Sequence, residues 1–70
     1  MTTLAKVIEL VGESTVSWDD AMRNAIKEAS KTLDNLTGVE VVNFTAALDG
    51  GEVVEYKVNL KLAFGVKENR

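Results

Sequence analysis

The stretch Val53–Val66, VVEYKVNLKLAFGV, restricts what this chain can fold into more than any other. Val54, Tyr56, Val58, Leu60, Leu62, Phe64 and Val66 occupy every second position, and Glu55, Lys57, Asn59 and Lys61 fall between them. A two-residue period sustained this long describes a β-strand with one dry face. At ~3.3 Å per residue such a strand runs roughly 45 Å, beyond the usual strand length. The remaining elements must cover its dry face, and its ends are expected to reach past a single subunit.

Thr2 to Val11 reads as the first strand, with Leu4, Ile8 and Leu10 on one face and Val7, Glu9 and Val11 on the other. Gly12 to Val16 is the connection. Ser17 to Leu36 is predicted as a helix. The Ser17 hydroxyl is placed to accept from a free N–H of the first turn, and Asp20 stands at capping-box spacing. Asp19 and Asp20 lie where the helix dipole favours negative charge. Trp18, Ala21, Met22, Ala25, Ile26, Ala29, Leu33 and Leu36 recur at intervals of three and four and form one apolar stripe. The alanines in it predict close approach to a sheet. Gly38 is suited to a left-handed helix cap.

Val39 to Leu48 is the second strand. Val41 and Phe44 share a face only if a β-bulge sits near Val42 and Asn43. Asp49, Gly50 and Gly51 then make a hairpin turn into the third strand. Lys67 to Arg70 reads as a polar tail. The fold class is α+β in β-α-β-β order. The strand with the longest dry face goes to the centre, which gives a three-stranded antiparallel sheet in order 1-3-2 wrapping one helix. A ~27 Å helix at 1.5 Å per residue is far shorter than the third strand. Extension of the sheet beyond it leaves Val7, Val11, Val39, Val42 and Val53 uncovered, a liability in a monomer and an asset in an assembly.

At 70 residues the chain is read as one domain, residues 1–70. A chain this short buries only ~60% of its unfolded surface, and disulfides, metals or oligomerisation commonly make up the deficit. There is no Cys and no His. This removes disulfides, the usual zinc ligands, the usual general base and the usual strong nucleophile. The expectation is a non-enzymatic, self-associating protein. A net charge of −3, with lysines and arginines interleaved among acids, argues against a nucleic-acid surface. Lys6 and Glu9 interrupt the N-terminal apolar residues, so neither a signal peptide nor a membrane span is read, and the cytoplasm is the expected location.

In order, length and pattern the chain resembles the dodecins, through KVIELVGES at the start, SKTL in the helical run and EYKVNLKLAF after the glycine turn. The resemblance implies a β-α-β-β subunit whose sheet wraps one helix. It also implies a hollow homododecamer of tetrahedral symmetry, in which pairs of flavins, FMN or riboflavin, are held at two-fold contacts for storage or quenching. Flavin-binding dodecins have a stacking Trp just after the helix and a Gln after the Glu-Tyr pair of the last strand. Those positions here hold Gly38 and Lys57. Gly38 has no π-face and Lys57 can only donate, so flavin binding is expected to be weak or lost. The helix start Ser17-Trp18-Asp19 resembles instead the flavin-poor calcium dodecins. Asp19 and Asp20 are the candidate oxygen ligands for Ca²⁺, which takes six to eight hard donors. Their alternative role is capping and dipole compensation, and Trp18 is expected to close the helix N-terminus against the sheet. Phe44, Tyr56 and Phe64 are assigned to the core. Lys57 and Lys61 are expected to form cross-strand pairs with Glu55 on the wet face of the sheet.

Overall fold

The computed structural model describes residues 2–68. Its elements are β1 (Thr2–Ser14), α1 (Trp18–Ala29), β2 (Leu36–Asp49) and β3 (Glu52–Glu68). The sheet order is β1-β3-β2, and both pairings are antiparallel. The α+β layout, the strand order and the central place of the third strand are therefore as the sequence implies. No helix of the described residues is long and apolar enough to cross a membrane.

The helix is shorter than its apolar stripe suggests. It ends at Ala29, not Leu36, and its 12 residues span ~18 Å at 1.5 Å per residue. The reason is chemical. The Ser30 hydroxyl donates to the Lys27 carbonyl at 2.7 Å, and short turn bonds from Lys31, Thr32 and Leu33 follow. Hydroxyl side chains offer the backbone partners that compete with a continuing helix. Asn35, not Gly38, adopts the left-handed conformation, at φ 61°. Gly38 belongs to β2, which begins three residues earlier than the pattern of Val39–Leu48 indicates.

The first strand is longer than expected, because Gly12, Glu13 and Ser14 continue it. Gly12 is required where it stands. A Cβ there would lie 2.3 Å from the Ala21 carbonyl oxygen and 3.0 Å from the Ala25 methyl group. The strand and the helix backbone touch at this point, which accounts for the alanines of the stripe. The core beneath holds Ala21, Ala25, Val58 and Leu60, with Met22 and Val41 packed against it.

The β2–β3 register skips a residue between Val41 and Asn43, the expected bulge, and pairs Val41 with Leu60 and Phe44 with Val58 on the helix face. Gly50 and Gly51 both take positive φ in the turn that joins β2 to β3. Lys67 and Glu68 are not a tail: their backbone pairs with Thr3 and Thr2. The expected polar ends Asn69 and Arg70 lie outside the described residues.

The molecule measures 58 × 20 × 13 Å, so the sheet runs far past the helix at both ends. Only the middle of the β3 dry face is fully buried, at Val58, Leu60 and Leu62. Tyr56 and Phe64 are half-buried, and Phe44 is 59% exposed, so the aromatic residues assigned to the core lie at its margin instead. Val7, Val11, Val39, Val42 and Val53 are all exposed, as the length mismatch requires.

Truncating a fully buried leucine leaves a cavity as well as lost transfer energy, so Leu60→Ala should lower unfolding free energy by about 2–5 kcal/mol in denaturant titration. The glycines give a contrasting test. Gly12→Ala should destabilise by about 1–3 kcal/mol, because the backbones must part. Gly38→Ala should be close to neutral, since nothing lies within 4 Å of the new methyl group.

Candidate functional site

The register divides the polar chemistry between two places, the outer face of the sheet and the start of the helix. On the outer face, away from α1, three rows cross the strands. Val7, Ala63 and Gly38 form one row, Glu9, Lys61 and Glu40 the next, and Val11, Asn59 and Asn43 the third. Glu13, Lys57 and Thr45 make a fourth. Gly38 and Lys57, the positions expected to govern flavin recognition, therefore share this face.

Around Gly38 the surface is open, and a cavity of about 250 Å³ is lined by Val7, Gly38, Val39, Glu40, Lys61 and Ala63. A second hollow of about 270 Å³ lies on the other side of the Lys61 row, against Val11, Val42 and Asn59. The Lys57 ammonium is 3.9 Å from both Glu13 and Glu55, a loose pairing of the kind expected for a wet strand face. Lys61 has Glu9 and Glu40 opposite it in register, yet makes no ion pair within the chain among the described residues. The Asn59 amide donates to the Asn43 side-chain oxygen at 2.7 Å.

All four aromatic side chains lie on the opposite, helix-covered face. Phe44, Tyr56 and Phe64 alternate with the outward residues of β2 and β3. Trp18 meets Phe44 and Tyr56 edge-on, with centroids 5.8 and 5.0 Å apart. Its indole N–H donates to the Thr45 carbonyl at 2.8 Å. Trp18 thus closes the helix N-terminus against the sheet, as its position predicts.

Asp19 and Asp20 are adjacent in sequence but are held apart in use. Asp19 is exposed and pairs with Arg23 one turn on, at 2.8 Å. That hydrogen bond and its charge raise the Arg23 pKa above the ordinary guanidinium value. Asp20 points back toward the end of β1. Its carboxylate accepts from the Ser14 hydroxyl at 2.6 Å and from the Asn24 amide at 3.2 Å, while its own N–H donates to the Ser17 hydroxyl. Ser14 is the hub that sequence reasoning missed. It is buried, and its oxygen also accepts from the N–H of Val16 and Ser17. Nothing in the pattern marks it, because burial at that point depends on the strand continuing past Gly12. Among the described residues no three Asp or Glu side chains converge.

A further hollow of about 480 Å³ lies between β1 and the flank of α1, with Ile8, Leu10, Ala25, Ala29 and Leu33 among its lining. It gathers none of the candidate ligand positions Asp19, Asp20, Gly38 and Lys57.

Comparison with known proteins places this geometry. The Dodecin family profile matches residues 4–67. The dodecin of Thermus thermophilus is 34% identical over 68 residues, covering 97% of this chain and 99% of that protein. The solved structure of the dodecin from Streptomyces coelicolor superposes with a TM-score of 0.91 at 37% identity, covering 96% of each chain. The calcium dodecin of Mycobacterium tuberculosis is 27% identical over 62 residues, or 89% of this chain and 87% of that protein. Its structure, that of a calcium-chelating antigen, superposes with a TM-score of 0.80.

The Ser14 hub should be measurable as stability. Ser14→Ala removes the donor to Asp20 and leaves part-buried groups unsatisfied, at a cost of about 1–3 kcal/mol in chemical denaturation. Lys57→Ala, which breaks only loose exposed pairs, should change stability by less than about 1 kcal/mol.

Proposed function

This chain belongs to the dodecin family, and we propose that it is a non-enzymatic subunit of a homododecameric shell that binds, stores or sequesters a small ligand, with flavin affinity weak or lost. The observation that carries the flavin part is the separation of the two faces. Gly38 and Lys57 lie on the outer face, while Trp18, Phe44, Tyr56 and Phe64 all lie on the other. No aromatic residue of this chain is placed to supply the π-face that Gly38 lacks. Lys57 offers hydrogen-bond donors but no acceptor for a ring edge. Self-assembly is supported by a sheet that outruns its helix at both ends and leaves apolar residues of both faces exposed. The absence of His and Cys from the chain supports a binding role over catalysis.

A calcium-binding or purely structural shell is the second reading. It is supported by the Ser17-Trp18-Asp19 helix start and by the similarity to a calcium dodecin. Because Asp19 and Asp20 engage different partners within the subunit, Ca²⁺ on this reading needs additional oxygens from neighbouring copies.

Light scattering should give a mass near twelve subunits, and a monomer at micromolar concentration would refute the shell. Titration with FMN and riboflavin, read by flavin fluorescence, should show affinity two to four decades below that of a flavin-binding dodecin. The estimate assumes that two interactions of ~1–3 kcal/mol are missing, at tenfold per 1.4 kcal/mol. Submicromolar binding would overturn the flavin claim. The double substitution Gly38→Trp with Lys57→Gln should restore much of that affinity, since the space at Gly38 is open. Ca²⁺ should raise the melting temperature by mass action if the second reading holds. No thermal response would leave a purely structural shell as the better form of that reading.

A further inference from the structure

We propose that the hollow between β1 and α1 is a docking groove for an extended peptide segment of another protein, one that alternates apolar and basic residues and adds to the free edge of β1 as a fourth strand. This partner is distinct from the small ligand and from the copies of the chain that the shell reading invokes.

β1 pairs with β3 along one edge and, among the described residues, with no strand along the other. An edge strand of 13 residues leaves a row of backbone N–H and C=O groups open to another chain. The hollow of about 480 Å³ opens on that edge. Its lining includes Leu10, Val11, Gly12 and Glu13, four consecutive residues. Successive strand residues point to opposite faces, so it is the edge of the strand that presents all four to one space. From Ile8 to Glu13 the edge runs roughly 17 Å at ~3.3 Å per residue, room for about five residues of an added strand.

The far wall is the flank of α1. Ala25, Ala29 and Leu33 recur there at four-residue spacing and, with Ile8 and Leu10, make an apolar floor. In strand addition the main-chain bonds supply affinity, and pockets for alternate side chains supply specificity. Alternate side chains of an added strand fall beside Ile8, Leu10 and Gly12 on the helix face, into the hollow. Those between fall beside Glu9 and Glu13 on the outer face. Both acids are exposed. Among the described residues Glu9 makes no ion pair, and Glu13 makes only the 3.9 Å contact with Lys57.

The chain already contains a strand of the required kind. On the paired edge of β1, Val58, Leu60 and Leu62 stand opposite Gly12, Leu10 and Ile8, and Lys57 and Lys61 stand opposite Glu13 and Glu9. β1 thus accepts apolar residues on one face and lysines on the other, and its free edge offers the same side chains again. The free edges of a second copy do not meet this demand. Another β1 would bring Glu9 and Glu13 against the same acids, and the free edge of β2 carries Glu40 on its outer face. Like charges directly opposite each other are unfavourable, so a basic segment is preferred to self-pairing.

The probe is a capped, fluorescein-labelled peptide with the sequence of residues 55–64, EYKVNLKLAF. The control peptide carries Lys57→Glu and Lys61→Glu. Fluorescence anisotropy with the whole protein should show saturable binding of the first peptide. Binding of the second should be about tenfold weaker, because two cross-strand pairs turn from attraction to repulsion. Glu9→Gln with Glu13→Gln should bring the two affinities to within about threefold of each other. Ala29→Trp fills the hollow and should weaken the basic peptide by about tenfold or more. That variant also separates addition at the free edge from displacement of β3, which a tryptophan in the hollow does not obstruct. If circular dichroism shows that Ala29→Trp does not fold, the glutamine pair carries the test, and an unchanged preference for the basic peptide then counts against the groove. Absence of saturable binding at millimolar peptide, equal binding of both peptides by the wild type, or full binding by folded Ala29→Trp overturns the proposal. The shell reading is judged separately. A monomeric wild type that selects the basic peptide refutes the shell and leaves the groove standing, and an assembled shell that binds neither peptide does the reverse.

Discussion

The molecule is governed by a mismatch of lengths. The central strand has 17 residues and the helix over it has 12. At roughly 3.3 Å per strand residue and 1.5 Å per helix residue, ~56 Å of strand lies beneath ~18 Å of helix. One helix cannot dry so long a face. It dries the segment from Val58 to Leu62 and leaves Val54 and Phe44 exposed on the same face. The chain thus has a secure centre and open ends, and exposed apolar ends of this kind mark surface suited to contact with another molecule.

How the centre holds is set by one close approach. At Gly12 the backbone of β1 meets the backbone of α1, with the Ala21 carbonyl where a side chain would begin. Two residues later Ser14 binds the carboxylate of Asp20, and Ser17 caps the same turn. The end of the strand and the start of the helix are thereby tied by side-chain and backbone bonds at once. This fixes the role of Asp20 as an anchor and leaves Asp19 outside, with Arg23. It also sets the direction in which Trp18 leaves the helix, toward Phe44, Tyr56 and the Thr45 carbonyl. The aromatic chemistry of the chain is therefore committed to the helix side.

Most of the architecture was legible because it rests on periodicity. The alternation from Val54 to Val66 identifies the central strand, the Asp-Gly-Gly turn fixes its partner, and the broken alternation at Val41 to Phe44 locates the bulge. What was not legible depends on competition between local and distant contacts. The stripe continues through Leu33 and Leu36, but Ser30 and Thr32 offer side-chain bonds that end the helix. Asn35, not a glycine, then takes the left-handed turn. Ser14 becomes a hub only because Gly12 lets its strand run under the helix. Of the candidate site residues, the sequence placed Gly38 and Lys57 correctly in relation to the strands' wet face only in part. That they share this face follows from the bulge and from Gly38 belonging to β2, neither of which can be read from Gly38 itself.

The outer face then has two kinds of contact to offer, and physical chemistry assigns them different roles. Removing Lys61 and its facing acids from water costs much of what their attraction returns, so charge exchange across an interface adds little net affinity. Covering Val7, Val11 and Val42 returns roughly 25 cal/mol per Å² without that penalty. Any affinity of this face for another surface therefore rests on the valines and the hollows beside them. The charged rows contribute selectivity, because a surface that sets lysine against lysine or acid against acid is disfavoured. A flat valine patch alone would allow many registers, and alternating Glu and Lys rows would allow few.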